Sequence, residues 1–494
     1  MLTVNNLLKL NENSQFRTNI TYLNDKRNQD LWQYSGYYLP GMDSILSLNH
    51  TNNRTNTLET NLTYTNNAPK TYINNSLKFQ GRWNHISSDI TGFNRVSQYF
   101  DIPLFYLQNN LSLVKHSGKK IFQFDSFTRY STLPQRLNVM TDTLNSFITQ
   151  EIVRSTFYTN NKTSFGYSKP SYNLLLDLQL LAKTENFDSN MNFTPFLDEE
   201  TKNKIETRNL IFNIGPQFTY RKNDFNLSFK LPLSSNNIAI KNGITDERKD
   251  YYYFFIEPSV SLRYKLGPFW TANLSFQYRN DTGDILDFPL SYYMINYRYM
   301  KKGAGVFGKR ESQAYSLRIA YRNTIQAFFF NISILYNTRL GNLLNNTSFR
   351  NNISLVSLIE LDNQRNNRAI AGSIAKYFDE LRTNFSLSGN YTNMKMDRLQ
   401  QNVKVPITLQ TLFLQPKIDT KVKNWLSVIY YAEILNNTID RNDLNQKNHN
   451  SFNQIRQDLE FSLDWINIFN KKTYFYTVDD GLNIFFSQLS FATL

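Results

Sequence analysis

Apolar and polar residues alternate with a period of two along most of the chain. Between Trp270 and Arg279, one side carries Trp270, Ala272, Leu274, Phe276 and Tyr278, and the other Thr271, Asn273, Ser275, Gln277 and Arg279. Ile256, Pro258, Val260, Leu262 and Tyr264 oppose Glu257, Ser259, Ser261, Arg263 and Lys265 in the same way. Tyr315, Leu317, Ile319 and Tyr321 separate from Ser316, Arg318, Ala320 and Arg322, and Leu459, Phe461, Leu463 and Trp465 from Asp458, Glu460, Ser462 and Asp464. Successive side chains of an extended chain point to opposite faces, so each stretch predicts a strand with one apolar and one polar face.

A soluble sandwich alternates too, and turn spacing separates the cases. Tight polar turns are predicted near Glu12, Ala68, Gly118, Lys169, Lys222, Gly267, Thr324, Asp379, Lys421 and Lys471. Their mean step is about 50 residues, against roughly 8–12 between the turns of a sandwich. Each step accommodates two long strands and one longer polar connection, such as residues 24–53, 280–310 and 337–366. Short turns on one rim and long loops on the other are the pattern of an outer-membrane barrel. Tyr251, Tyr252, Tyr253, Phe254 and Phe255, like Tyr430 and Tyr431, suit strand ends at a membrane interface.

The fold class that follows is all-β: a transmembrane, antiparallel, up-and-down β-barrel spanning residues 1–494 as one domain. Ten short turns and a last strand over residues 482–491 give about 21 strands. Residues 2–10 run into a short turn and therefore descend from the outside, which calls for an upward strand before Met1. The chain is thus expected to be a fragment of a 22-stranded barrel, with periplasmic short turns and extracellular long loops.

Composition narrows the chemistry. The 494 residues include no cysteine, and the four histidines, His50, His85, His116 and His449, show no ligand spacing. No thiolate site, metal site, cofactor or catalytic residue is expected. No phosphate loop or nucleophile elbow occurs. The 54 basic and 40 acidic residues leave a formal charge of +14, yet the cations are dispersed, which argues against nucleic acid. No run of apolar residues is long enough for a spanning helix, and residues 1–10 lack a secretion signal.

Three stretches, residues 310–336 (RESQAYSLRIAYRNTIQAFFFNISILY), 413–431 (FLQPKIDTKVKNWLSVIYY) and 466–484 (INIFNKKTYFYTVDDGLNI), carry a resemblance to the barrels of TonB-dependent outer-membrane receptors of the Bacteroidota type. The resemblance covers essentially the whole chain and concerns the scaffold, not ligand motifs. It implies a bacterial outer-membrane location and energised uptake of a bulky nutrient of the siderophore, cobalamin or glycan class. It also implies TonB as a partner through a plug domain that, with a signal and N-terminal domains, would lie upstream of this sequence. Outer-membrane lipid and lipopolysaccharide, the barrel-assembly machinery and a surface lipoprotein are the further partners it implies. The C-terminus departs from the family pattern, because Leu489 and Phe491 keep the apolar parity and Ala492, Thr493 and Leu494 break it.

The candidate ligand contacts are Tyr292, Tyr293, Tyr297, Tyr299, Lys301, Lys302 and Arg310, in one long connection. Aromatic rings and cations together can stack on sugars or hold an anionic chelate. The competing reading of the same residues is an interfacial girdle with loop charges toward lipopolysaccharide phosphates. At the level of the whole chain, a passive porin-like or scaffold barrel and a soluble carbohydrate-binding β-protein are the alternatives.

Overall fold

The computed structural model describes residues 1–35, 45–92, 95–141, 146–192, 201–350, 353–400, 402–443, 446–465, 473–479 and 484–490, with residues 33–35, 45–47, 146, 350, 400, 442–443, 446–448, 463–465, 473–479 and 484–490 described by backbone alone. These form 26 strands and a single turn of 3-10 helix. Three strands are interrupted and continue in register: Val96–Asp101 into Leu104–Ser117, Phe225–Lys230 into Leu233–Asn242, and Arg248–Ile256 into Ser259–Leu266. The hairpin Tyr293–Asn296 and Tyr299–Lys302 stands apart from the main ladder. Merging the interrupted strands and setting the hairpin aside leaves 21 consecutive positions, from Leu2–Lys9 to Ile484–Ser490, each antiparallel to the next. This is the up-and-down barrel architecture that the alternation implies.

Short turns fall where they are expected at nine of the ten places. Residues 118–119, 223–224 and 267–269 connect adjacent strands, with Gly118 at φ +58 and Gly267 at φ +76, conformations that glycine adopts without strain. The turn expected near Lys421 lies three residues on, at residues 424–425. The tenth, near Lys471, lies outside the described residues, as do the C-terminal residues 491–494 with their parity.

The two faces of the wall are clearest in the strands Tyr172–Met191 and Lys202–Lys222. On one face Leu174, Leu176, Leu178, Leu180 and Ala182 lie opposite Phe218, Pro216, Ile214, Phe212 and Leu210. The next pairs on that face are Thr184 with Arg208, Asn186 with Glu206, and Asp188 with Lys204. The apolar band therefore ends sharply. From Leu210 to Tyr220 it runs about 34 Å along the strand at about 3.4 Å per residue. At a tilt of about 40° that is roughly 26 Å of height, close to the hydrocarbon thickness a barrel must match. Leu180 is 46% exposed and Phe212 47%, so half of each side chain faces outward with nothing from the protein over it.

The opposite face carries Asn173 with Thr219, Asp177 with Gly215, Gln179 with Asn213 and Lys183 with Asn209 at the level of the band. Above the band this face is buried and partly apolar, with Phe187 opposite Ile205 between the polar pairs Glu185–Thr207 and Ser189–Asn203. Both faces thus change character at one height. The outer face passes from apolar to charged, and the inner face from polar and part-exposed to buried, which requires a different occupant against each part of the wall.

Two of the expected long connections are corrected by the structure. Residues 24–53 and 337–366 are mostly paired strand: Ser14–Ser35 pairs with Ile45–Ala68 out to Ser35 and Ile45, and Phe328–Arg350 pairs with Ile353–Phe378 out to Arg350 and Ile353. Their Asn-containing sequences carry no sustained apolar alternation, since they lie beyond the apolar band. The 251–255 run is also divided: Tyr252 and Phe254 face out, while Tyr251, Tyr253 and Phe255 stack along the inner face. Three histidines lie within strands and face an aspartate across the pair, His50 with Asp30, His85 with Asp101 and His449 with Asp440.

Candidate functional site

The connection between Trp270–Thr282 and Lys309–Asn323 folds against the inner face at the long-loop rim. It is the apolar occupant that the inner face above the band requires. Ile285, Phe288, Tyr293 and Phe307 pack with Ile152, Phe187, Ile205, Ile238 and Ile240. Tyr292, Met294 and Met300 pack with Ile90, Val96, Leu137, Val139, Ile148, Met191 and Leu355. The contacts come from strand positions four through fifteen of the ladder, so the segment reaches much of the wall.

Polar side chains of the wall fix its backbone. Gln150, 2% exposed, donates from Nε2 to Met294 O (2.7 Å) and accepts at Oε1 from Met294 N (2.5 Å). Asn203, 4% exposed, holds Ser291 by the same two bonds, each 3.0 Å. Each amide takes the place of a missing strand neighbour and leaves no backbone group of its residue unpaired. Gln98 Oε1 accepts from Tyr297 N (3.1 Å). The strand Tyr299–Lys302 pairs in parallel with Ser354–Ser357, beyond a bulge between Gly341 and Leu343.

The neck of the segment is built on close backbone approaches. Gly283 N donates to Gly308 O (2.6 Å) and Ala304 N to Asp287 O (2.6 Å). A Cβ on Gly303 would lie 2.2 Å from Asp287 O, which no side chain tolerates. The Asp287 carboxylate accepts from Asp284 N (3.2 Å). Burial pushes this carboxyl above the usual carboxylate range, and backbone N–H donors and the Arg310 charge oppose the shift. An ion-pair network secures the other side: Arg154 spans Glu185 (2.8 Å) and Asp284 (3.0 Å), and Lys183 meets Glu185 at 2.6 Å.

The structure spreads the seven sequence-derived residues from the tip to the foot of this segment and gives them different surroundings. Tyr293 is buried, edge-on to Phe187 at a centroid distance of 5.3 Å, and burial pushes its phenol up. Tyr292 is buried with Lys302 Nζ 4.6 Å from its ring centre. Tyr297 sits at the hairpin tip with the Arg298 guanidinium 5.0 Å over its ring. Tyr299 and Lys301 lie in the parallel pairing, half-buried. Arg310 stands at the start of the next strand, 3.3 Å from Asp281. All lie at the long-loop rim, and Tyr292 and Tyr293 turn inward, away from the outer face where a girdle would stand.

Sequence reasoning missed the anchors Gln98, Gln150, Arg154 and Asn203. A signal for them exists. In Lys202–Lys222 the apolar parity switches from Ile205 to Leu210, Phe212 and Ile214, and Ile148 and Ile152 flank Gln150 on the inner parity. Such a switch within one strand announces that its two halves face different media. Below the segment the inner wall is polar and self-paired, with Lys78–Glu59 at 2.8 Å, Lys162–Asp177 at 2.9 Å and Arg129 4.6 Å over Tyr106. Among the described residues no group of three His, Asp or Glu is placed to hold a metal.

No family model and no curated protein matches the chain. Among solved structures it is similar to the outer membrane transporter YddB from Escherichia coli, with 8% identity, a TM-score of 0.48 and coverage of 96% of this chain and 70% of that one. It is similar at 8% identity and a TM-score of 0.47 to the siderophore receptor PiuA from Acinetobacter baumannii, over 96% of this chain and 76% of that one. For the ferric citrate transporter FecA in its unliganded form the values are 8% and 0.46, over 93% and 78%. At these values the likeness is one of strand course, and no family or activity is taken from it.

Proposed function

We propose that this chain is the barrel of a bacterial outer-membrane receptor of the TonB-dependent type, through which a bulky nutrient crosses the membrane. The observation that carries the reading is the outer apolar band of Tyr172–Met191 and Lys202–Lys222, which ends in charged residues at the height where the inner face becomes buried. A lipid-facing band, a polar inner wall and long connections on one rim are the parts such a receptor needs. TonB would act through a plug domain encoded upstream, and lipopolysaccharide would meet the charged outer face formed by Lys202, Lys204, Glu206 and Arg208. The resemblance in the scaffold stretches supports the energised class.

A second reading is a passive barrel, and one observation favours it: residues 283–308 occupy the rim from within the same chain, as a constriction segment would. Fractionation of the producing cells and the gene sequence upstream of Met1 test both. Outer-membrane location with a plug and TonB-contact segment upstream supports the receptor. The same location with neither favours the passive barrel, and recovery in the soluble fraction contradicts both.

A further inference from the structure

Ion pairs line much of the inner wall, and one place on it gathers like charges instead. Lys78, Lys162, Lys183 and Arg154 each have a carboxylate partner. Arg339 instead lies directly opposite Arg365 on the neighbouring strand. Facing like charges on one sheet face destabilise the pairing. Arg310, on the strand at the other side, reaches toward the same place across Gly341, where no side chain intervenes.

The acceptors present are too few. Asp281 lies 3.3 Å from Arg310 and 4.0 Å from Arg339, and no other ion pair involves these three arginines among the described residues. Arg365 directs Nε and Nη2 at the Met394 sulfur, 3.1 and 2.7 Å away. A thioether is a weak acceptor, so these donors stay poorly satisfied. Three guanidinium groups therefore gather around one carboxylate, which pairs with Arg310 and Arg339, at the foot of residues 283–308 and open to the enclosed space.

We propose that Arg310, Arg339 and Arg365 form a binding site for a polyanionic solute bearing several carboxylate or phosphate groups. The guanidinium fork matches both oxyanions bidentately, and a polyanion between Arg339 and Arg365 turns their repulsion into shared attraction. The site rests on the barrel reading above and gives it a substrate class. It adds Arg339 and Arg365 to the one arginine that the sequence singled out.

The test is calorimetric titration of the whole chain, folded in detergent micelles, with citrate and with inorganic pyrophosphate, and with maltotriose as the neutral probe. Saturable binding of either anion, weakened about tenfold or more in Arg339→Gln and in Arg365→Gln, is expected. Maltotriose should give none, and Lys222→Gln, exposed at the opposite short-turn rim, should bind as the parent does. Without anion, Arg365→Gln should melt no lower than the parent, since it removes a like-charge contact. Absence of binding by folded parent protein, equal binding by the arginine variants, or a lower melting point of anion-free Arg365→Gln would each overturn the site. A chain that is monodisperse without detergent would instead overturn the barrel reading, so the two failures are distinguishable.

Discussion

Gln98 and Ser354 stand ten strand positions apart in the ladder, yet they hydrogen-bond consecutive residues of one hairpin tip. Gln98 Oε1 accepts from Tyr297 N, and Ser354 N donates to Arg298 O (2.7 Å). Ten inter-strand steps of about 4.8 Å put roughly 48 Å of wall between them. The wall is therefore drawn in around residues 283–308 at this rim, and the segment belongs to the fold rather than hanging from it.

Replacing Gln150 by Leu should free the hairpin. The change removes two bonds and leaves Met294 N–H and C=O unpaired in a dry place, a cost of about 1–3 kcal/mol for each orphaned group. Amide exchange across Ser291–Met300 should accelerate by at least about tenfold, since each 1.4 kcal/mol is a factor of ten. Exchange in Tyr172–Met191 should stay unchanged. Equal exchange throughout would show that the amide does not anchor the segment.

Gly303→Ala should be far more damaging than Gly118→Ala. The first sets a methyl 2.2 Å from Asp287 O, while the second meets open space and has only its φ of +58 to accommodate. An αL alanine costs about 1–2 kcal/mol, whereas the neck at Gly303 has to come apart. Limited proteolysis between residues 283 and 308 reads the difference, and similar cleavage of the two variants would contradict it.

The sign of the pH dependence follows from Asp287. Its folded-state affinity for a proton is raised by burial, so its ionisation opposes the packed state. That penalty is absent below the unfolded carboxylate range and grows as pH rises through the folded value. Protection of residues 283–308 from exchange should be greater at mildly acidic than at neutral pH. In Asp287→Asn this dependence should be lost, and an opposite slope in the parent would contradict the assignment.

Ile214→Arg places a charge at the middle of the outer band and should lower folding stability in lipid vesicles by about 2–4 kcal/mol. Asn213→Arg, one residue away on the inner face, should cost far less. Urea titration of vesicle-folded protein gives both values, and equal losses would mean that the two faces do not see different media.

Much of this fold is legible in the sequence because a wall between lipid and water imposes one rule on every strand. Trp270, Leu274 and Phe276 keep to the face opposite Asn273, Ser275 and Gln277 for no other evident reason, and the turns at Gly118 and Gly267 declare themselves by backbone need. What lies above the band is less legible. There the outer face is polar, so the paired residues 24–35 and 45–53 look like loop, although backbone hydrogen bonds and the His50–Asp30 pair sustain them. The candidate tyrosines are identifiable as a cluster, but their inward packing depends on Phe187, Ile205 and Val139, whose distance in sequence hides the contact. Arg339 and Arg365 become a pair only once the register is known.

Single tryptophans placed along residues 209–215, in protein folded into vesicles whose acyl chains carry bromine at known depths, test the central claim most directly. Tryptophan at positions 210, 212 and 214 should be quenched, most strongly near 214 by bromine deep in the bilayer, and at positions 209, 211, 213 and 215 it should not. Quenching that is equal at odd and even positions, or absent throughout, would contradict a wall with lipid on one side and an aqueous interior on the other.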